Sequence, residues 1–394
     1  MKKITIGLFN DSFFPLSDGV IYVVDNYARR LSTFANVVVF VPNYSNSTFD
    51  DSKLPYKVVR CHSVKMHIID YSLPLPKLDS KFMKEIKKYK LDIVHIHSPF
   101  SMGLLGIEYA KKNNIPVVAT MHSQFKQDFQ KFTHNETLAT LLNNQLIKTF
   151  NKCDYCVAVN KEVARIFYED YKYRELPGVI NNATEMKPVP NIQEAHDLIN
   201  RRHHIKPSDK VFLFVGRINT LKNILFIVEA LKRVHDLKPD FRFRMLFVGS
   251  GSEENLLRDK IKETNMEKYV TICGKITNRY ILECYYNRAD LFLFPSIYDA
   301  SSLVQIEAAS QHTPTVFLRG TATSATVTEN VDGFMSDNSV DDYANKIIEV
   351  MEDKELYKNV SENAFKNLYK TWDDVVNDVF KMYLDQIEKK KEEV

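Results

Sequence analysis

Short apolar runs alternate with helix-length amphipathic segments along most of this chain. "KITIGLF" is followed by "GVIYVVDNYARRLSTF", then by "NVVVFVP", "LDIVHIH", "GLLGIEYAKKN", "IPVVATMH" and "DYCVAVN". Near-continuous Val/Ile runs fit strands buried on both faces, and their alternation with helices fits parallel βαβ units. The pattern pauses over 183–208, a polar stretch with three prolines. It then restarts with "KVFLFVG", "NILFIVEALKRVHD", "FRMLFVG", "YVTICG", "RYILECYYNRA", "DLFLFPS", "SLVQIEAAS" and "TPTVFL". The pattern predicts two doubly wound, Rossmann-like α/β domains, 1–190 and 191–375, joined by a linker in the 190s. Residues 376–394 read as an amphipathic C-terminal helix ending in a charged tail.

Composition narrows the class. A length of 394 residues with 44% hydrophobic content suffices for two cores. A net charge of only +3 gives no support for nucleic acid as a partner. The start, "MKKITIGLFNDSFF", lacks a signal-peptide apolar region, and no run approaches the ~20 apolar residues of a spanning helix. A cytoplasmic protein is expected, with peripheral attachment to the inner face of the cell membrane as a further expectation. The five cysteines (61, 153, 156, 273 and 284) are scattered, and "CDYC" at 153–156 has no second pair at zinc spacing. Buried structural cysteines are expected.

Ligands of open parallel sheets bind beyond the carboxyl ends of strands, beside helix N-termini. Several polar residues stand there. "GRINTLKN" puts Arg217 and Lys222 just past a strand, two cations able to bracket a diphosphate. Gly249 and Gly251 mark the next strand-to-helix turn, and Gly19 precedes a helix after "FNDSFFPLSD". In "YDASSLVQIEAAS", Asp299 lies in the loop after a strand, and Ser302 with Gln305 forms a capping box. The helix should then start near Leu303, with the amides of Leu303 and Val304 and the positive end of its dipole aimed at a ligand. Glu307, one turn further on, can accept hydrogen bonds from a diol. His95 and His97 form H-x-H on a strand. A packed or loop-supporting role is the better reading for them than metal ligation, since no third ligand stands near.

Together these motifs resemble glycosyltransferase family 4. "GRINTLKN", "LFVGSGSEENL", "ADLFLFPSIYDASSLVQIEAASQHTPTVF" and "TENVDGF" stand in the family's order, and "FNDSFFPLSDGV", "DIVHIHSP" and "TMHSQFKQDF" match the N-terminal half. The resemblance implies the GT-B fold, two Rossmann-like domains facing each other across a cleft, with acceptor binding in the first and nucleotide-sugar binding in the second. It implies a retaining, metal-independent hexosyltransferase without a cofactor. A glucose-type hexose would move from a UDP-linked donor to a membrane lipid or cell-surface glycan.

By the same resemblance Arg217 and Lys222 hold the donor diphosphate, and Glu307 binds the ribose. Asp299 contacts the donor sugar at the reacting face. Leu303 and Val304 offer amides to the phosphate, Gly19 approaches it, and the turn at Lys275 meets the base. His122 lines the sugar and acceptor side.

Some positions depart from the family pattern. Asp299 stands for its first Glu; Ala300, Ser301 and Ser302 replace Pro-Phe-Gly; His312 stands where the family has glycine. A non-transferring relative, such as a nucleotide-sugar epimerase or a donor-binding protein without catalysis, is the alternative. "SKFMKEIKKYK", residues 80–90, carries five lysines among Phe82, Met83, Ile86 and Tyr89. Such a helix either lies on an anionic membrane or turns its apolar residues to the core.

Overall fold

The computed structural model describes residues 3–16, 18–44, 49–65, 72–297, 299 and 303–393. Two units divide the chain: Met1–Asn182 with Trp372–Val394, and Ala183–Thr371.

The first unit is built on β1 (Thr5–Phe9), β2 (Asn36–Pro42), β3 (Lys57–Cys61), the short β4 (Ser63–Lys65) and β5 (Ser72–Pro74), β6 (Ile93–Ile96), β7 (Val117–Met121), β8 (Tyr155–Ala158) and β9 (Gly178–Val179). Among the described residues the main sheet runs β3-β2-β1-β6-β7-β8-β9, all parallel, and β4 and β5 pair as a separate antiparallel hairpin. Helices α1 (Gly19–Leu31), α2 (Ser80–Ile86), α3 (Ser101–Asn113), α4 (Phe125–Thr133), α5 (Glu136–Phe150) and α6 (Lys161–Arg165) connect these strands. The Val/Ile runs are buried because helices lie over the sheet: Ile6, Leu8, Val39, Ile93, Val94 and Val118 are wholly inaccessible.

The second unit repeats the scheme. After α7 (Ile192–His203) come β10 (Lys210–Val215), α8 (Ile224–Leu237), β11 (Phe243–Val248), α9 (Glu254–Glu263), β12 (Val270–Gly274), α10 (Arg279–Arg288), β13 (Leu291–Phe294), α11 (Leu303–Ser310), β14 (Thr315–Leu318) and β15 (Phe334–Ser336). The sheet order is β12-β11-β10-β13-β14-β15, again parallel. Helices α12 (Val340–Glu352) and α13 (Lys354–Leu368) close the unit, and α14 (Trp372–Glu392) belongs to the first.

The expected domain ranges need three corrections. The division falls at Asn182/Ala183 and not at 190/191. The polar 190s are no linker: Asn191 caps α7 through its side chain, and Ala195 and Ile199 are buried beneath that helix. Arg288 Nε donates to Asn200 Oδ1 (2.6 Å), and His203 Nε2 lies 2.7 Å from Tyr285 OH, which ties α7 to α10. Residues 376–394 are not a separate segment either. Trp372, Val375, Val376, Val379 and Tyr383 bury one face of α14 in the first unit, with Trp372 edge-on to Tyr27 at 5.9 Å and Phe380 edge-on to Phe34 at 4.7 Å.

Of the two readings left open for residues 80–90, the structure bears on where the apolar side chains go. Phe82 and Ile86 on α2 are buried, and Phe82 and Tyr89 both pack edge-on against Phe40. The apolar face of this helix is taken up by the core. Its outward face is left to Lys81, Lys84, Lys87 and Lys88, with exposed Lys90 just beyond.

Among the described residues no helix is long and apolar enough to cross a membrane. Cys153 and Cys156 are both buried, with sulfurs near the carbonyls of Thr149 and Phe150.

Candidate active site

In each sheet the chain starts in the middle and winds outward in both directions. The switch point lies between β1 and β6 in the first unit and between β10 and β13 in the second. Loops leaving two such neighbouring strands diverge to opposite faces and open a crevice at their carboxyl ends. The predicted donor residues of the second unit stand largely there. Arg217 and Lys222 follow β10; Asp299, Leu303, Val304 and Glu307 follow β13.

The β10 loop is held at Ile218, which is fully buried. A single 3-10 turn, Thr220–Lys222, follows it, and Asn223 then adopts a left-handed conformation (φ 58°) before α8 begins. Lys222 is thereby turned toward the β13 loop, where its ammonium forms an ion pair with Asp299 Oδ1. Ser296 Oγ donates to the other carboxylate oxygen at 2.6 Å, and Lys222 Nζ lies 5.9 Å from the Phe294 ring centre. Arg217 is exposed, and no carboxylate pairs with its guanidinium among the described residues. One cation of the predicted pair is therefore engaged, and the other is open to a ligand.

The described part of helix α11 runs from Leu303 to Ser310, and Leu303 and Val304 are half-buried. Ser302, and with it the capping box, lies outside the described residues, as do Ala300 and Ser301. Gln305 donates to Thr326 Oγ1 at 2.7 Å. Glu307 accepts a hydrogen bond from Tyr286 OH on α10 at 2.8 Å, through Oε2. Burial raises its pKa, partly offset by the Tyr286 hydroxyl and the positive charge of Arg279. Its Oε1 makes no hydrogen bond among the described residues.

Gly249 and Gly251 serve the backbone. The φ of Gly249 is 144°, and a Cβ there would collide with the Gly216 carbonyl; one on Gly251 would collide with the Ile218 carbonyl. The β10 and β11 loops thus lie directly on each other, joined by Ile218 N–H to Ser250 O (3.1 Å) and by Glu253, which accepts from the Thr220 amide. Lys275 is exposed on the turn after β12, beyond Gly274 with φ 74°. It stands past a strand further along the sheet from the switch point. His312 takes a left-handed φ of 60° and stacks on Phe365 at 4.1 Å, so a structural contact accompanies the departure from glycine.

In the first unit, Asp18 caps α1 by accepting from Ile21 N at 2.9 Å. Gly19 is exposed, and a Cβ there would meet nothing within 4 Å, which leaves open space over the helix start. Asp11, not singled out from the sequence, sits at this switch point. It accepts from Ser98 Oγ (2.6 Å) and from Met102 N at the start of α3 (2.9 Å). Burial pushes its pKa up to about 6 against these hydrogen bonds. His122, at the end of β7, is half-buried, and its Nε2 lies 3.0 Å from Nδ1 of His97. Burial lowers its pKa to about 3. No group of three His, Cys, Asp or Glu side chains suited to a metal occurs among the described residues.

Asp11, Tyr286 and Glu253 escaped the sequence reading for different reasons. Asp11 carries a usable signal, a carboxylate two residues past a strand. Tyr286 and Glu253 reach their partners from other helices or loops, and no spacing announces that.

Two parallel α/β units, each with polar residues past its central strands, define the GT-B class of protein. Residues 17–186 match the family model described as Glycosyltransferase Family 4, and residues 196–367 match the one described as Glycosyl transferases group 1. The chain thus carries a Glycosyltransferase Family 4 domain followed by a Glycosyl transferases group 1 domain, and it is a glycosyltransferase. An alpha-monoglucosyldiacylglycerol synthase of Acholeplasma laidlawii is 27% identical over 378 residues, covering 91% of this chain and 91% of the relative. The Streptococcus pneumoniae protein of the same description is 26% identical, covering 79% and 70%. Among solved structures, Anabaena HepE in complex with UDP superposes with a TM-score of 0.76 at 15% identity, covering 97% of this chain and all of that one.

Proposed function

We propose that this glycosyltransferase moves a glucose-type hexose from a UDP-linked donor to a membrane lipid, with retention of anomeric configuration. The carrying observation is the cluster at the second switch point: Arg217, the Lys222–Asp299 pair, the start of α11 and Glu307, all past β10 and β13 of one sheet. Two relatives described as monoglucosyldiacylglycerol synthases, and a fold neighbour solved with UDP, support the acceptor and donor classes.

In this reading the second unit holds the donor and the first presents the acceptor. Glu307 takes the ribose hydroxyls through Oε1 while Tyr286 holds Oε2. Lys275 meets the base. As the bond from the anomeric carbon to phosphate oxygen breaks, its electron pair and the new charge go to the diphosphate. Arg217, Lys222 and the amides of Leu303 and Val304 stabilise that charge where it develops. An ammonium has three hydrogens, so Lys222 can keep Asp299 and still donate to a phosphate oxygen. Asp299 in turn faces the donor sugar. The acceptor hydroxyl enters on the same face, gives its proton to the departing phosphate, and forms the new glycosidic bond. Two cations and a helix start supply the positive charge, so the reaction is proposed to need no metal.

The test is UDP release and glycolipid formation with diacylglycerol in vesicles, with the anomer read by NMR. An α-linked product insensitive to chelator is expected from an α-linked donor. A β-linked product would refute retention, and an altered sugar still attached to nucleotide would identify an epimerase. Lys222→Ala should lower turnover by roughly 10²–10³-fold, the usual cost of one transition-state donor. Near-normal turnover in that variant would remove Lys222 from the mechanism.

A further inference from the structure

His95 and His97 alternate along β6 and its end, so both rings fall on one face of the sheet. There they form a row with His122. His95 stacks on His97 at 4.1 Å between ring centres, and His97 on His122 at 5.3 Å. Each end of the row is held differently. Both nitrogens of His95 are engaged, Nδ1 with Tyr383 OH on α14 (2.6 Å) and Nε2 with Thr120 Oγ1 (2.8 Å). Among the described residues His97 has one hydrogen-bond partner: its Nδ1 meets His122 Nε2 at 3.0 Å, while its buried Nε2 has none. Tyr27 closes over His97 edge-on at 5.7 Å. Nδ1 of His122 has no protein partner among the described residues, nor is it among the buried unpartnered atoms.

A neutral imidazole has one N–H donor and one acceptor nitrogen, so the His97–His122 hydrogen bond admits two arrangements. Burial keeps all three rings neutral at physiological pH, with His95 and His122 near 3 and His97 well below its ordinary value. If His122 donates from Nε2, the hydrogen of His97 sits on its own Nε2, a buried N–H with nothing to accept it. If His97 donates from Nδ1, the atom left without a partner is a bare lone pair. Orphaned buried N–H groups are rarer than under-satisfied acceptors, so the second arrangement prevails.

We infer that His97 is a positioning residue: its Nδ1–H holds Nε2 of His122, so that His122 presents Nδ1–H to a substrate oxygen as a neutral donor and not as a base. The inference rests on the proposed function and on the placing of His122 on the sugar and acceptor side that the family resemblance implies. It assigns the pair a recognition role, a hydrogen bond to a hydroxyl or glycosidic oxygen, and leaves the acceptor proton to the departing phosphate.

Nitrogen-proton correlation NMR of histidine-labelled full-length protein tests this without any assay. His122 should carry its hydrogen on Nδ1 at pH 7; hydrogen on Nε2 would overturn the inference.

Kinetics give the second arm. His97→Asn can place an amide N–H where Nδ1 stands and should keep activity within a few-fold. His97→Asp, an acceptor only, should turn His122 to the Nε2–H form. It should also raise the acceptor KM by roughly tenfold, the scale of one lost hydrogen bond, with the donor KM unchanged. Equal losses in both variants would reduce His97 to a packing role and overturn the inference. Hydrogen on Nδ1 together with unaltered kinetics in His122→Ala would instead overturn the placing of His122.

Discussion

Asp11 shows how far a single side chain can stand from its solution behaviour. Its carboxylate takes hydrogen bonds from Ser98 and from the first turn of α3, yet burial dominates and lifts its pKa to about 6 from 3.8. A carboxyl with a raised folded-state pKa holds its proton more tightly when folded. Its contribution to stability is fully present below about pH 4 and is lost as the pH rises through about 6. Asp11→Asn should therefore be more stable than the parent at pH 7.5, by on the order of 2 kcal/mol, with the difference closing near pH 4. Urea unfolding at the two pH values checks this. An Asn variant equally destabilised at both would mean that the charge on Asp11 is favourable where it sits. Glu307 is pushed the same way by burial, with one oxygen held by Tyr286, so both switch points hold a carboxylate under desolvation.

At the scale of elements, the outcome for α2 matters most for function. Phe82 and Ile86 are buried in the core, Phe82 edge-on to Phe40, which leaves the lysines as the part that can meet another surface. Lys88 is paired with Glu85 at 2.5 Å, and Lys81, Lys84 and Lys87 stand exposed beside it. Contact with an anionic bilayer through this helix would be electrostatic, worth ~1 kcal/mol per lysine and screened within a Debye length of about 10 Å at 0.1 M salt. Binding to phosphatidylglycerol vesicles should therefore be reversed by salt. The triple variant Lys81→Glu, Lys84→Glu, Lys87→Glu should weaken it by at least tenfold in a pelleting assay. Binding unchanged by salt and by the triple variant would place the membrane contact elsewhere. The strand-end loops of the second unit obey a different constraint. Gly249 and Gly251 are required because two backbones touch, so the glycines of this strand-to-helix turn act on loop packing.

For the whole molecule, the decisive feature is that the first unit is discontinuous. The chain leaves it at Asn182, builds the second unit, and returns with α14. Trp372, Val376, Val379 and Tyr383 are buried there, and Tyr383 reaches His95. The second unit is one unbroken segment with its own core, from Val211 and Phe212 to Ile347 and Val360. Residues 183–371 expressed alone should unfold cooperatively and, on the proposed reading, be stabilised by UDP. A fragment of residues 1–182 lacks α14 and should expose the surface that this helix covers, seen as dye binding and loss of a sharp transition. Cooperative unfolding of 1–182 with native-like stability would contradict the division into units.

Elements and strand ends were legible because their signals are local. Burial on both faces forces continuous apolar strands, and a chain that must bind past those strands puts its cations, glycines and carboxylates there. Hence the sequence pattern could set Arg217, Lys222, Asp299 and Glu307 past the ends of strands, while their expected roles came from the family resemblance. Two further features were legible only as alternatives: which way α2 turns its apolar face, and whether H-x-H packs or binds. Tertiary structure decided these, and it alone revealed the return of α14, the Lys222–Asp299 pair, the Tyr286 hydrogen bond to Glu307 and the row of three histidines. The physical reason is common to them all. Each depends on groups distant along the chain, 21 residues apart for Tyr286 and Glu307, 77 for Lys222 and Asp299 and 288 for His95 and Tyr383, whose meeting is set by strand order and helix packing. Periodicity says which face of an element is apolar; only the packed neighbours say what that face, and each polar group beside it, will touch.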